Sequence, residues 1–289
     1  SDYPGGGGGS SGYPGGGGGS SDYPGGGGGS SGYPGGGGGS SPDNSTPAFP
    51  EGGINLIPRP EFEGDQDTKD NPLIRSHSLN TPQMELLLNA INELFKSKDE
   101  LFLSEKEICL LQALYDQLVN KEVKIDFRMY PNPTENSAAA NYDPRYKSIS
   151  FRENNTITKE SLKEEFFHAF QDAFYPGGTA QYGKDSQGNK LPGNVNVEFE
   201  AKVFNDLTGG GFVSAFFKYE TAEEQNAYNN YMKWIESVRL DPSILINKTQ
   251  YNYWLNLFNE LNPYYESPKS NDFSSFHSLN NLISKSNCF

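Results

Sequence analysis

The sequence predicts an α+β protein in which helices accompany a small sheet. Three observations support this prediction. Apolar residues recur at helical spacing between residues 84 and 118. Residues 123–129 then alternate strictly between apolar and polar side chains, which is typical of a strand with one buried face. After residue 220 the pattern is helical, so strands and helices are segregated along the chain.

The first 40 residues are one decapeptide repeated four times, Ser-(Asp/Gly)-Tyr-Pro followed by five glycines and a serine. They contain no aliphatic side chain, so burial cannot offset the entropy lost when the backbone is ordered. We therefore expect residues 1–70 to form a disordered tether and linker, and residues 71–289 to form a single globular domain. An adhesive, tyrosine-rich repeat is the alternative interpretation of the first segment.

Composition excludes several classes of function. The net charge of −14 argues against nucleic-acid binding, which requires clustered lysine and arginine. No apolar run approaches the length of a membrane span. The two cysteines form no C-x-x-C metal pair and predict no disulfide framework, and Cys109 is expected in the core because it lies in an apolar helical run.

Two helices are predicted before the strands. Thr81 is a cap residue followed by a proline, a pair that opens a helix. Ser104 and Glu107 have the spacing of a capping box, which starts the second helix. Residues 123–129 form the first predicted strand and residues 147–151 a second, short one.

The remaining elements are helical. A third helix extends from its N-cap Thr158 to about Tyr175, where Pro-Gly-Gly stops it. A glycine-rich loop leads to a fourth helix over residues 195–207. Three more helices are predicted at about 221–239, 243–260 and 272–286.

The third helix carries the one pattern that indicates chemistry, Glu-Glu-Phe-Phe-His from Glu164 to His168. It is the metal motif H-E-x-x-H with glutamate in place of the first histidine. Residues four apart share a helix face, so Glu164 and His168 could hold one metal while Glu165 activates a water molecule. Whether a carboxylate in the first position preserves this chemistry is the central question.

A narrow polar stripe extends the motif along the helix, opposite its apolar face. The stripe contains no lysine or arginine, whereas solvated helix faces usually mix both signs of charge. A solvated face nevertheless remains the alternative interpretation. The stripe consists of Glu164, His168, Gln171 and Tyr175, with Glu165 and Asp172 at its edge. Of these, Gln171 and Asp172 are expected to support the ligands.

The fourth helix offers two glutamates as a third ligand, and they lie on different faces. Glu200 falls within the apolar arc, where a carboxylate is costly unless it is paired or binds a metal. Glu198 falls on the polar side, with Lys202 and Asn205. We therefore expect Glu200 to be the ligand, with Glu198 as the alternate.

The order of short strand, motif helix, loop and second helix bearing Glu-Ala resembles the glutamate-liganded branch of the zincin metallopeptidases. The resemblance covers residues 147–206. It implies a zincin-like fold and a metal-dependent hydrolase of the metallopeptidase type, acting on peptides or proteins. The family has histidine at the position of Glu164, so this chain departs from the motif at one ligand.

The resemblance also implies a role for each site residue. A divalent metal, zinc first, would be held by Glu164, His168 and Glu200 and would polarise the scissile carbonyl. Glu165 would take the proton of the water molecule and pass it to the leaving amine, and Tyr175 would stabilise the oxyanion. The strand that would bind an extended peptide contains Ser148, Ile149 and Ser150.

Other interpretations of the altered motif remain open. The scaffold could have lost its metal and act as a binding module without turnover. Glu165 and His168 could work as a metal-free acid–base pair. A ferritin-like di-iron site is disfavoured, because it needs a second Glu-x-x-His and neither His77 nor His277 has a glutamate three residues earlier.

The glycine-rich tether resembles the flexible spacer of mature bacterial lipoproteins. This resemblance implies an N-terminal lipid anchor as the only membrane attachment, and a location outside the cytoplasm, at the cell surface or in the periplasm. A monomer that acts on a peptide or protein substrate is expected.

Overall fold

The computed structural model describes residues 71–96, 104–134, 137–209, 221–261, 266–286 and 288. These residues belong to one compact unit. The predicted tether lies outside the described residues. The class is α+β as predicted, and the described residues contain seven α-helices and one four-stranded sheet. None of these helices combines the length and apolar character that crossing a membrane requires.

Each predicted helix has a counterpart in the structure. The helices are α1 Thr81–Lys96, α2 Glu105–Asn120, α3 Lys159–Phe174, α4 Asn194–Leu207, α5 Ala222–Leu240, α6 Lys248–Leu261 and α7 His277–Ser286. Two boundaries differ from prediction. Residues Pro242–Ile246 form a 3-10 turn before α6, and α7 begins five residues later than the predicted position 272.

The caps that start these helices follow local chemistry. The capping box of Ser104 and Glu107 is present at α2, and the Thr158 side chain accepts a hydrogen bond from the Ser161 N–H at the start of α3. At α1 the predicted cap was one residue late. Asn80 is the cap, because its Oδ1 accepts from the N–H of Gln83 at 3.0 Å and its own N–H donates to Gln83 Oε1 at 2.9 Å.

The sheet contains β1 Ile74–His77, β2 Ile125–Met129, β3 Ala140–Asp143 and β4 Ser148–Phe151, in the spatial order β1-β2-β4-β3. Strands β1, β2 and β4 are parallel, whereas β3 is antiparallel to β4 and forms one edge. The two predicted strands are β2 and β4.

The strand expected to bind an extended peptide, β4, is an inner strand of the sheet. Its residues pair with β2 on one side and β3 on the other, so Ser148, Ile149 and Ser150 have no free backbone edge. All four β4 residues are buried. The available edge beside the motif helix is therefore β3.

Helix α3 packs against several other elements. It contacts α1, α2, α4, α7 and β3. On its apolar side, the ring centroid of Phe166 lies 5.2 Å from that of Phe95. On another side, Phe167 stacks on Phe204 of α4 with centroids 4.3 Å apart. Residues on every face of α3 are therefore held by neighbouring elements.

The sequence predicted no disulfide, and this prediction is wrong. Cys109 of α2 and Cys288 form a disulfide bond with Cα atoms 5.6 Å apart, across a separation of 179 residues. Local spacing could not predict this pair, because a bond across so many residues depends on the tertiary fold. It ties the C-terminal end of the chain to α2.

Removing this disulfide is expected to lower the free energy of unfolding by roughly 2–5 kcal/mol, since a cross-link over a long loop restricts the unfolded chain. The measurement is urea denaturation of the wild type and Cys288→Ser, each with and without dithiothreitol. Dithiothreitol should lower the urea concentration at the unfolding midpoint of the wild type and leave the midpoint of the variant unchanged. A wild-type midpoint that ignores reductant would contradict the expectation.

Candidate functional site

The polar stripe of α3 lies in the interior, not in solvent. Glu164 and Gln171 are 0 % exposed, Glu165 is 1 % exposed and His168 is 7 % exposed. The stripe packs against α4, whose residues from Val195 to Phe204 are all buried. The interpretation as a solvated helix face is therefore excluded.

Glu164 is held by two residues of α4. Lys202 Nζ donates to both of its carboxylate oxygens, at 2.7 and 2.8 Å, and Asn205 Nδ2 donates to Oε2 at 2.5 Å. Burial alone would raise the pKa of Glu164, but the Lys202 ammonium and the nearby His168 lower it to about 2. Glu164 is therefore an ionised carboxylate in a buried ion pair.

His168 is oriented by Gln171. The Nδ1 atom of His168 lies 2.8 Å from Gln171 Oε1, while Gln171 Nε2 donates to the Val197 carbonyl at 3.0 Å and to Glu200 Oε2 at 3.1 Å. Because both of those partners are acceptors, the Gln171 amide nitrogen must face them and its oxygen must face the imidazole. The proton of Nδ1 is thus fixed, and Nε2 is the atom available to a ligand.

The Nε2 atom of His168 points between two carboxylates. It lies 3.8 Å from Glu164 Oε1 and 3.7 Å from Glu198 Oε2, distances too long for hydrogen bonds, and it has no hydrogen-bond partner in the described part of the chain. Burial opposes protonation, but the negative charges of Glu198 and Glu164 raise the pKa of His168 to about 9. Without a metal, an imidazolium balances these charges at neutral pH.

The donor set fits a metal ion. One ligand atom each from Glu164, His168 and Glu198 lie within 4.8 Å of one another, and all three side chains are buried. Ligands about 2.1 Å from a tetrahedral metal are separated by about 3.4 Å, slightly less than the observed 3.7 and 3.8 Å. Inward movement that closes the three separations, each at most 4.8 Å, would therefore complete a three-ligand site.

Glu200 does not join this group, which corrects the predicted third ligand. Its carboxylate accepts hydrogen bonds from Tyr175 Oη at 2.8 Å, Ser278 Oγ at 2.6 Å and the Leu279 N–H at 3.0 Å. The last two lie in the first turn of α7, where a carboxylate stabilises a helix N-terminus. Glu200 instead links α3, α4 and α7.

Tyr175 is occupied by the same network. Burial, followed by the negative charge of Glu200, raises its pKa well above the ordinary value, and its hydroxyl donates to that carboxylate. In this arrangement it is not directed at the group formed by Glu164, His168 and Glu198. The predicted role of Tyr175 as oxyanion stabiliser receives no support from this geometry.

Glu165 has one oxygen fixed and one open. Its Oε2 accepts from the backbone N–H of Tyr142 at 2.6 Å, while Oε1 has no hydrogen-bond partner among the described residues. Burial raises the pKa of Glu165 to about 8, so it is protonated at neutral pH in the metal-free protein. A neighbouring divalent cation would favour its carboxylate form.

Asp172 supports the loop after α3 rather than the ligands. Its carboxylate accepts from the Thr179 N–H and from Tyr142 Oη, both at 2.8 Å, and pairs with Lys147. Gly178 approaches so closely that a Cβ there would lie 2.5 Å from Asp172 Oδ1. Asp172 thus fixes this loop against β3.

His168 and Glu198 reach solvent through a cleft of about 130 Å³. Its walls come from β3 and the residues just after it, and from the loop after α3. Besides these two residues, the lining includes Asn141, Tyr142, Arg145, Thr179, Tyr182 and Lys184. The cleft therefore lies along the edge strand and reaches two of the three candidate ligands, His168 and Glu198.

No protein-family model, curated protein or solved structure matches this chain. Function is accordingly inferred from the geometry of the site alone.

Three residues around the group were placed together by the sequence pattern, with Glu198 as the alternate ligand and no role given to Lys202 or Asn205. Glu198, Lys202 and Asn205 share the polar side of α4, and this side faces the polar stripe of α3. Charge complementarity between the two helices could have predicted this contact. The polar stripe of α3 has acidic residues and no cation, and the polar side of α4 has a lysine and an amide that donate to Glu164.

Proposed function

We propose that this protein is a zincin-like, metal-dependent hydrolase of peptides, with Glu164, His168 and Glu198 as metal ligands and Glu165 as the general base. The observation that carries the proposal is the buried Nε2 of His168, which has no hydrogen-bond partner in the described residues and lies between two carboxylate oxygens. A buried polar atom in this position is costly unless a ligand satisfies it.

The surroundings of α3 support the zincin-like interpretation. An antiparallel edge strand, β3, lies beside the motif helix, and the Tyr142 N–H contacts the proposed base directly. The cleft follows this strand to His168 and Glu198. An extended peptide placed in the cleft would bring one of its carbonyl groups to the ligands while its backbone lies along β3.

The residues divide the chemistry among them. A metal held here would supply Lewis acidity toward the scissile carbonyl and lower the pKa of a bound water molecule. Glu165 takes a proton from the attacking water molecule and delivers it to the departing amine. The accepting atom is Oε1, because Oε2 already accepts from the Tyr142 N–H. Gln171 holds the imidazole so that Nε2 faces the ligand position. Two carboxylates and one imidazole suit zinc and also manganese or iron.

The proposal places the protein outside the cytoplasm, attached through its N-terminal tether. The disulfide between Cys109 and Cys288 supports this location, because disulfides are rare in reducing cytosol.

A specific observation favours a second candidate, a binding module on the same scaffold without metal or turnover. Lys202 already neutralises Glu164, and a protonated His168 faces Glu198. The buried charges are thus compensated without any metal ion, which a purely structural network also requires.

Metal content separates the two candidates. Full-length protein should bind one Zn²⁺ per chain after reconstitution, measured by elemental analysis and titration calorimetry. His168→Ala and Glu198→Gln should weaken binding by more than about 100-fold, since each removes a direct ligand. Glu160→Gln, which changes an exposed acid in the first turn of α3, is the control and should bind Zn²⁺ as the wild type does. Wild-type protein that binds neither Zn²⁺ nor Mn²⁺ would exclude the metal-dependent enzyme and leave the binding module.

A further inference from the structure

Helix α4 carries both a proposed metal ligand, Glu198, and a positively charged side chain, Lys202, close to the proposed metal site. Glu198 and Lys202 are four residues apart, so they lie on one face of the helix. The side chain of Lys202 is 10 % exposed, and its Nζ contacts both oxygens of Glu164. A buried ammonium therefore occupies the immediate surroundings of the proposed metal ligands.

This ammonium would lie close to a bound metal. Its Nζ is 2.7 Å from Glu164 Oε1, the oxygen nearest His168 Nε2. An ion about 2 Å from that oxygen would be at most about 5 Å from Nζ. Repulsion between a divalent ion and an ammonium at this range is large in a partly desolvated site. Lys202 and the metal thus compete for the charge of Glu164.

The ion pair between Lys202 and Glu164 also stabilises the metal-free protein. Glu164 is 0 % exposed, and a buried carboxylate without a cation is strongly destabilising. Lys202 supplies that cation and keeps Glu164 in the position where it meets His168. The same contact that keeps Glu164 in place without a metal therefore reduces the affinity of the site for one.

We propose that Lys202 is an internal counter-ion that sets the metal affinity of the site, because it occupies Glu164 in the metal-free protein and must yield part of this contact when a divalent cation binds. This inference rests on the proposed metal site. It assigns to Lys202 a role in affinity that is separate from direct ligation and from proton transfer.

The test compares the full chain with Lys202→Met, which keeps the length of the side chain and removes its charge. Zn²⁺ affinity is measured by competition with a chromophoric chelator, and thermal unfolding is followed with and without Zn²⁺. We expect Lys202→Met to bind Zn²⁺ at least tenfold more tightly. Without metal it should unfold at a lower temperature than the wild type, and Zn²⁺ should raise its unfolding temperature by more.

Lys163→Met is the matched control. Lys163 belongs to the same helix pair and is also poorly exposed to solvent, but its Nζ donates to the carbonyls of Asn205 and Thr208 at the end of α4. Its loss removes one positive charge without touching the oxygens of Glu164. Stability should fall, while Zn²⁺ affinity should change less than about threefold.

The outcomes are distinct. Wild type and Lys202→Met with equal affinity, or a variant that binds more weakly, would overturn the role of Lys202 and leave the metal site standing. If neither protein binds Zn²⁺, both the proposed function and this inference fail. If Lys202→Met does not fold without metal, Lys202→Gln, which retains a donor to Glu164 without the charge, is measured in the same way and must show the same increase in affinity.

Discussion

Glu165→Gln should reduce peptide hydrolysis by about 10²–10⁴-fold while leaving metal content and stability close to wild type. The amide cannot accept a proton, so the step assigned to Glu165 is lost. Its carbonyl oxygen can still accept from the Tyr142 N–H, which Glu165 Oε2 does at 2.6 Å. Since burial already keeps Glu165 protonated near neutral pH, glutamine closely reproduces its uncharged form.

The measurement is turnover of a mixed library of fluorogenic peptides by the Zn²⁺-loaded proteins, with metal content and urea denaturation determined on the same samples. Glu160→Gln is the control, because Glu160 is an exposed acid in the first turn of the same helix. Wild-type turnover in Glu165→Gln would remove Glu165 from the mechanism. A wild type that binds Zn²⁺ but cleaves no peptide in the library would contradict the proposed activity rather than the metal site.

The glutamate-to-glutamine substitution at Glu164 should instead affect the stability of the protein. Glu164→Gln should lower the free energy of unfolding of the metal-free protein by about 3–5 kcal/mol, because it breaks the buried ion pair between Glu164 and the Lys202 ammonium. Both Glu164 oxygens accept hydrogen bonds, from Lys202 and from Asn205. An amide group in either orientation therefore turns an N–H toward one of these donors.

Urea denaturation in the presence of a chelator measures this loss. Glu165→Gln serves as the comparison and should lose less than about 1 kcal/mol. The double variant Glu164→Gln/Lys202→Met removes the stranded charge as well and should recover at least half of the loss, as a double-mutant cycle would report. Equal stability of Glu164→Gln and wild type would show that the ion pair is not a determinant of the fold.

Strong local patterns predicted much of this fold. Capping residues and helical spacing located all seven helices, and strict alternation located β2. Strands β1 and β3 were missed because each has only four residues and no alternation to distinguish it from a loop. The position of β4 inside the sheet was also missed, since pairing order is a tertiary property that depends on β3.

The candidate site was predicted in part, for a related reason. The motif residues Glu164, Glu165 and His168 were identified from spacing alone. Glu200 was expected in the group and Glu198 was only the alternate, because the helical wheel presumes one buried face and one solvated face. Helix α4 is buried on both, so Glu200 on its apolar side caps α7 and Glu198 on its polar side faces His168.

The contact between Glu200 and α7 means that the surroundings of the site depend on a helix that is synthesised after the ligands. Gln171 contacts Glu200, and Glu200 accepts hydrogen bonds from the first turn of α7, which follows α3 and α4 in the sequence. A chain made from its N-terminus therefore has its ligands long before it has the element that aligns them. Glu200 gains its hydrogen bonds from Ser278 and Leu279 only when α7 packs against α4. In an oxidising environment, the bond from Cys288 to α2 then links the residues just after α7 covalently to α2.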